Sequence, residues 1–142
     1  MSYRYLDETG GDVAFEAIGK SREELFMSAA AATMNVMVED LGSIHRREEV
    51  TLYADHSQFD LLLFRFLNEL IFLKDSRKLL IRIEKVCFGE RDSKLTVEAT
   101  GYGETLDPAK HPLHVDVKAV TLHRFQVVQS QEGWKATVVL DV

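Results

Sequence analysis

A chain of 142 residues, 46% hydrophobic and 28% charged, fits one globular domain able to bury a core without staples. Its formal net charge of −6 argues against binding phosphate backbones directly, because that affinity comes from Lys and Arg neutralising phosphates; cations and basic protein surfaces are the expected partners. One cysteine, Cys87, excludes an intramolecular disulfide or a Cys-based zinc site, and with no basic-then-apolar leader in Met1–Tyr5 and no apolar run near about 20 residues, a cytoplasmic protein without a membrane span is expected.

Tyr3–Leu6 is a short strand candidate. Asp7-Glu8-Thr9-Gly10-Gly11-Asp12 is an acidic turn whose glycines allow unusual backbone angles. Val13–Ala17 alternates as a half-buried strand. Ser21 with Glu24 forms a capping box, and Leu25, Ala29, Ala32 and Val36 follow at helical spacing, which predicts a helix over Arg22–Val38. Its alanines, Ala29–Ala32, favour helix and close packing. Arg47–Ala54 alternates as a strand. Ser57 with Asp60 resembles a second cap, and Leu61–Leu73 is apolar nearly all round, a helix covered on most sides. Leu80–Phe88 and Lys94–Tyr102 flank the turn Gly89–Ser93 as a hairpin. Cys87 alternates with Ile81 and Ile83 and reads as core. The loop 106–112 carries both prolines. Val115–Val128 is long for one strand and is expected to bend or bulge near Thr121. Gln129–Gly133 turns, and Trp134–Val142 returns. The order predicts a single α+β domain over 1–142, with a mixed sheet and two helices on one face.

Three constellations carry potential chemistry. Asp7, Glu8 and Asp12, with Asp141, offer the oxygen ligands that hard divalent cations prefer; a solvated turn and an unrelated strand-end carboxylate is the commoner meaning of such a pattern. Asp116 and Lys118, two apart on a strand, share a face. They can pair with each other, or with Asp12 or Asp141, or simply face water, which the pattern favours. His111, His114 and His123 lack the converging partners that zinc needs, so surface or hydrogen-bonded core histidine is the expectation. Nucleophile elbows and phosphate loops are missing, and aromatic residues do not interleave with basic ones as a nucleic-acid stacking platform would require.

The chain resembles the archease family over nearly its whole length. The resemblance rests on Asp12-Val13-Ala14-Phe15-Glu16-Ala17-Ile18-Gly19-Lys20-Ser21 with Glu23-Glu24-Leu25-Phe26, and on Phe66-Leu67-Asn68-Glu69-Leu70-Ile71-Phe72-Leu73. It continues through Asp107-Pro108 and His111, then Val117-Lys118-Ala119-Val120-Thr121-Leu122-His123, and ends on Gly133-Trp134 with Val138-Val139-Leu140-Asp141-Val142. What it implies is an activator rather than an enzyme: an accessory protein for the RtcB-type RNA ligase of tRNA splicing and RNA repair, promoting ligase guanylylation and multiple turnover. It implies a divalent metal ion (calcium, or magnesium or manganese in function) held by Asp12 and Asp141, with the backbone or terminal carboxylate of Val142 as a third ligand. Lys118 would act near that site or at the ligase contact, with Glu8, Asp116 and His111 as further candidates. The chain departs from the family where a His-Thr-Ala-Asp run is usual: the His is missing, one residue is inserted before Asp12, and Glu8 is the candidate replacement. Leu122 stands for the usual tyrosine. Two other classes compete: a stand-alone metal-dependent hydrolase using the same carboxylates with His111 or His123, and a chaperone or scaffold without metal.

Overall fold

Ser21 starts the first helix as its spacing with Glu24 predicts: its hydroxyl accepts the Glu24 amide at 3.1 Å, satisfying an amide that the helix itself cannot. The computed structural model describes residues 2–6 and 11–142. Most of the expected acidic turn, Asp7 and Glu8 included, lies outside the described residues. The elements are β1 (Ser2–Leu6), β2 (Val13–Gly19), α1 (Arg22–Met37), a 3-10 turn (Leu41–Ser43), β3 (Glu48–His56), α2 (Phe59–Arg77), β4 (Leu79–Arg91), β5 (Lys94–Thr105), β6 (Ala119–Ser130) and β7 (Gly133–Asp141).

The α+β class stands, but the strands divide into two sheets rather than one, ordered β1-β2-β7-β6 and β3-β5-β4. Every pairing in both is antiparallel, so neither sheet is mixed. Both helices contact both sheets: α1 packs on β2 and β7 and on β4, and α2 on β3, β4 and β5 and on β6. The alanine run of α1 is buried, with Ala29 and Ala32 fully so. Short side chains there let the strands approach the helix closely. Phe26 is the hinge pin of the core, with ring centroids 5.2 Å from Phe66 and 4.8 Å from Phe88. Phe59, the first residue of α2, reaches Trp134 at the start of β7 with centroids 4.9 Å apart. One apolar cluster therefore ties both sheets to both helices.

The second helix begins differently from its expected start. Gln58 is the N-cap and makes no side-chain capping bond. Asp60 instead accepts the Leu61 amide at 2.8 Å, and its charge favours the helix start. Leu62, Leu63, Phe66, Leu67, Leu70 and Ile71 are buried as expected, but so is Lys74, while Phe72 faces solvent. No helix among the described residues is long and apolar enough to cross a membrane.

Cys87 is exposed, against the expectation of a core position. The cause is a register shift in β4 between Ile83 and Lys85, which leaves Glu84 without a partner on β5. One extra residue inverts the inward–outward alternation, so Val86 takes the buried place that simple counting gave to Cys87. The expected irregularity near Thr121 is present: the β6–β7 register shifts between Thr121 and Gln126, and Arg124 has φ of 53°.

Candidate functional site

The end of the four-stranded sheet is built by two ladders. On one side of β7, Val13 pairs with Leu140; on the other, Ala119 pairs with Asp141. Continuing the first ladder by one residue puts Asp12 opposite Asp141. Residues directly opposite on antiparallel strands share a face with Cβ atoms about 4.5–5.5 Å apart. Both aspartates are exposed, and Val142 is half-buried against the core. Lys118 lies just before β6 and donates its amide to the Asp141 carbonyl at 2.8 Å. Thus Asp12, Asp141, Val142 and Lys118 gather at one strand end, although Asp12 and Asp141 are nearly the length of the chain apart.

This donor set suits a hard divalent cation: carboxylate oxygens and strand-end carbonyls, open to water on the outer side. It is an incomplete shell. Among the described residues no group of three or more His, Cys, Asp and Glu side chains gathers to hold a metal. Water, the Val142 oxygens or a partner's groups would have to complete the coordination. The histidines do not converge either. His114 is exposed, with Nδ1 3.5 Å from a Glu39 carboxylate oxygen, and His123 is exposed on β6.

Residues 115–118 are not a strand. Asp116 and Lys118 therefore do not share a strand face, and Asp116 pairs with neither Lys118 nor an aspartate of the sheet end. Its carboxylate sits 2.7 Å from Lys74 Nζ. Lys74, with 4% of its side chain exposed, also donates to Asp75 and to the Val117 carbonyl at 2.9 Å. The backbone here follows α1 instead of a ladder: His114 and Val115 donate to the Met37 and Val36 carbonyls at 2.9 and 3.1 Å. Asn68 of α2 accepts the Val120 amide at 3.0 Å. Lys74 and Asn68, six apart on α2, thus hold the two ends of the segment that carries Lys118. Sequence reading missed both. A lysine closing an apolar helix looks like a solvated end, and the only available signal was its place on the same stripe as Leu70 and Ile71.

His111 belongs to a second polar cluster. It is 1% exposed. Its Nδ1 accepts the Asp107 amide at 2.9 Å, which leaves Nε2 to donate to Glu104 at 2.8 Å. With both ring nitrogens engaged and no opening to water, His111 holds the 106–111 loop and is not available as an acid or base at the sheet end. Glu104 also accepts from the His45 amide at 3.0 Å, from Arg47 Nε at 3.2 Å and from Lys110 Nζ. These donors, the Lys110 ammonium and the His45 amide foremost, hold its carboxyl far below the usual carboxylate range despite the opposing effect of burial. No residue pattern around Glu104 announces this hub, because its donors come from two separate stretches of chain, His45–Arg47 and Lys110–His111.

Comparison with known proteins bears on the family and the fold. The family model described as the Archease protein family (MTH1598/TM1083) matches residues 3–142. Protein archease of Archaeoglobus fulgidus is 34% identical over 142 residues, covering 100% of both chains. The solution structure of Methanobacterium thermoautotrophicum protein 1598 superposes with a TM-score of 0.85 at 31% identity, over 99% of this chain and 98% of that one. The crystal structure of a Thermotoga maritima archease, called a possible chaperone, gives a TM-score of 0.62 at 21% identity over 98% and 97% of the two chains, a likeness of fold alone.

Proposed function

This chain belongs to the archease family, and from that premise we propose that it is a cytoplasmic accessory protein that activates an RtcB-type RNA ligase. In this reading Asp12 and Asp141 hold a divalent cation, calcium at rest or manganese or magnesium in use, with Val142 oxygens beside them. The cation supplies charge neutralisation and Lewis acidity to the ligase's guanylylation when bound. Asp12 and Asp141 bring two negative charges together on an exposed edge and so bind a cation loosely, which suits handing it over better than storing it. Lys118, whose backbone N–H donates a hydrogen bond to the Asp141 carbonyl, offers a positive charge beside that edge for the ligase or its nucleotide.

The observation that carries the reading is the antiparallel register that brings Asp12 against Asp141 with Lys118 next to them. The acidic balance of the chain complements a ligase mouth that must be basic to hold RNA. The test is multiple-turnover RNA joining by the cognate ligase with GTP and limiting metal. Addition of this protein is expected to carry the ligase beyond its first turnover. Joining that stops at the same yield with and without it overturns the proposal.

A further inference from the structure

Between α2 and β3 lies a groove with exposed aromatic side chains and a carboxylate that has no ion-pair partner among the described residues. The groove has a volume of about 470 Å3 and is lined by Tyr53 and Asp55 of β3 and by Phe64, Arg65, Glu69 and Phe72 of α2, among others. Phe72 is 59% exposed, Tyr53 46% and Leu122 60%; these are the three most exposed large apolar side chains among the described residues. Leu122 of β6 does not line the groove, but its neighbours along the strand meet groove residues. It lies two residues beyond Val120, which Asn68 holds, and three before Phe125, whose ring meets that of Phe64 with centroids 5.7 Å apart. Exposed apolar side chains scattered singly need no explanation, but a contiguous set on one face marks a contact surface.

Charge identifies the kind of partner. Arg65 is already engaged, donating to the Asp55 carbonyl at 2.8 Å and to its carboxylate at 3.4 Å. Glu69 is half-buried in the groove wall and has no hydrogen bond or ion pair among the described residues. A carboxylate at the wall of a groove with its acceptor oxygens free is complementary to a cation brought by a partner.

The groove is linked to the candidate site through Asn68, which lines the groove and accepts the Val120 amide. Residues 117–122 are one stretch of backbone: Lys118 bonds to Asp141 at its start, Lys74 holds the Val117 carbonyl, Asn68 holds Val120, and Leu122 stands exposed at its end. A body seated on Phe72 and Leu122 therefore rests on the same helix and strand that hold the segment carrying Lys118. Resting on the function proposed above, we propose that the Tyr53–Phe72–Leu122 face is where the ligase docks, through an apolar segment flanked by a Lys or Arg that pairs with Glu69.

The experiment measures calorimetric affinity of the full chain for its cognate ligase at low and moderate salt, with Phe72→Ser, Leu122→Ser and Glu69→Gln as variants. Calorimetric titration of each free variant with manganese runs alongside, and unchanged thermal unfolding confirms that each is folded. Phe72→Ser and Leu122→Ser are expected to weaken ligase binding about tenfold each, as anchors in a hot spot do. Glu69→Gln is expected to weaken it severalfold and to make it less sensitive to salt, while manganese binding by the free variants stays as in the parent. Equal ligase affinity for parent and variants overturns the docking face and leaves the activator reading standing. A parent that does not bind the ligase overturns both. Manganese binding that falls with ligase binding overturns the docking role, since the variants then act through the carboxylates. A parent that self-associates in the ultracentrifuge, with Phe72→Ser monomeric and ligase affinity unchanged, assigns the groove to a second copy and overturns the proposal.

Discussion

Replacing Asp141 with Asn makes a prediction whose two halves have opposite signs. Asp12 and Asp141 stand opposite each other one residue beyond the β2–β7 ladder, so their Cβ atoms are roughly 5 Å apart, by the usual spacing of directly opposed residues. Two like charges at that distance in a largely aqueous setting repel by about 1 kcal/mol. Asp141→Asn keeps shape and hydrogen-bonding capacity but removes the repulsion. Without metal, the variant is therefore expected to melt about 3 °C above the parent, the shift that such a free energy gives in a domain of this size. With metal the order reverses. Manganese at a hundred times its dissociation constant stabilises the parent by about 2.7 kcal/mol, or roughly 8 °C, and does nothing for the variant. The assay is thermal unfolding followed by circular dichroism, in chelator and in manganese. A variant that melts below the parent in chelator, yet gains as much from manganese, refutes the pairing of these two carboxylates around a cation.

Glu104 predicts acid sensitivity. Its carboxyl is held well below the ordinary value of 4.5, so its contacts stabilise fully above that value, and the stabilisation is lost as pH falls below it toward the folded-state value; denaturant midpoints between pH 6 and 2 should show a steeper acid limb for the parent than for Glu104→Gln. Gly101→Ala should destabilise by about 1–3 kcal/mol, because an added Cβ would stand 1.9 Å from the Arg82 carbonyl oxygen in the central strand of its sheet; a urea midpoint unchanged from the parent would contradict that packing. Lys74→Met should cost about 1–2 kcal/mol through the lost bond to the buried Val117 carbonyl, and hydrogen exchange at the Lys118 amide should quicken more than at the mid-strand amides of β7.

Local chemistry made most of the fold legible. The Ser21 cap, the alanine run and the alternation in β3 are short-range signals, and the structure follows them. Where the sequence misled, the deciding interaction was long-range. The β4 bulge that exposes Cys87 depends on how β4 meets β5, and alternation alone does not show an inserted residue. Val115–Val117 has strand-like composition, but α1 and Lys74 hold its backbone, and β7 is reached only at Lys118. The candidate site divides in the same way. The carboxylate at the end of β7 drew notice by itself, whereas Asp12 stood as one of three turn carboxylates, singled out through family resemblance and positioned through register. Glu104, Lys74 and the unpaired Glu69 became visible only when separate stretches of chain were brought together.

The most direct measurement is the rate at which the cognate ligase takes up labelled guanylate from GTP at limiting manganese, with the parent protein and with Asp12→Ala and Asp141→Ala at equal concentration. The parent is expected to accelerate uptake, and each variant, folded by circular dichroism, to leave the rate at that of the ligase alone. Acceleration by both variants equal to the parent's would contradict a role for the Asp12–Asp141 strand end in ligase activation.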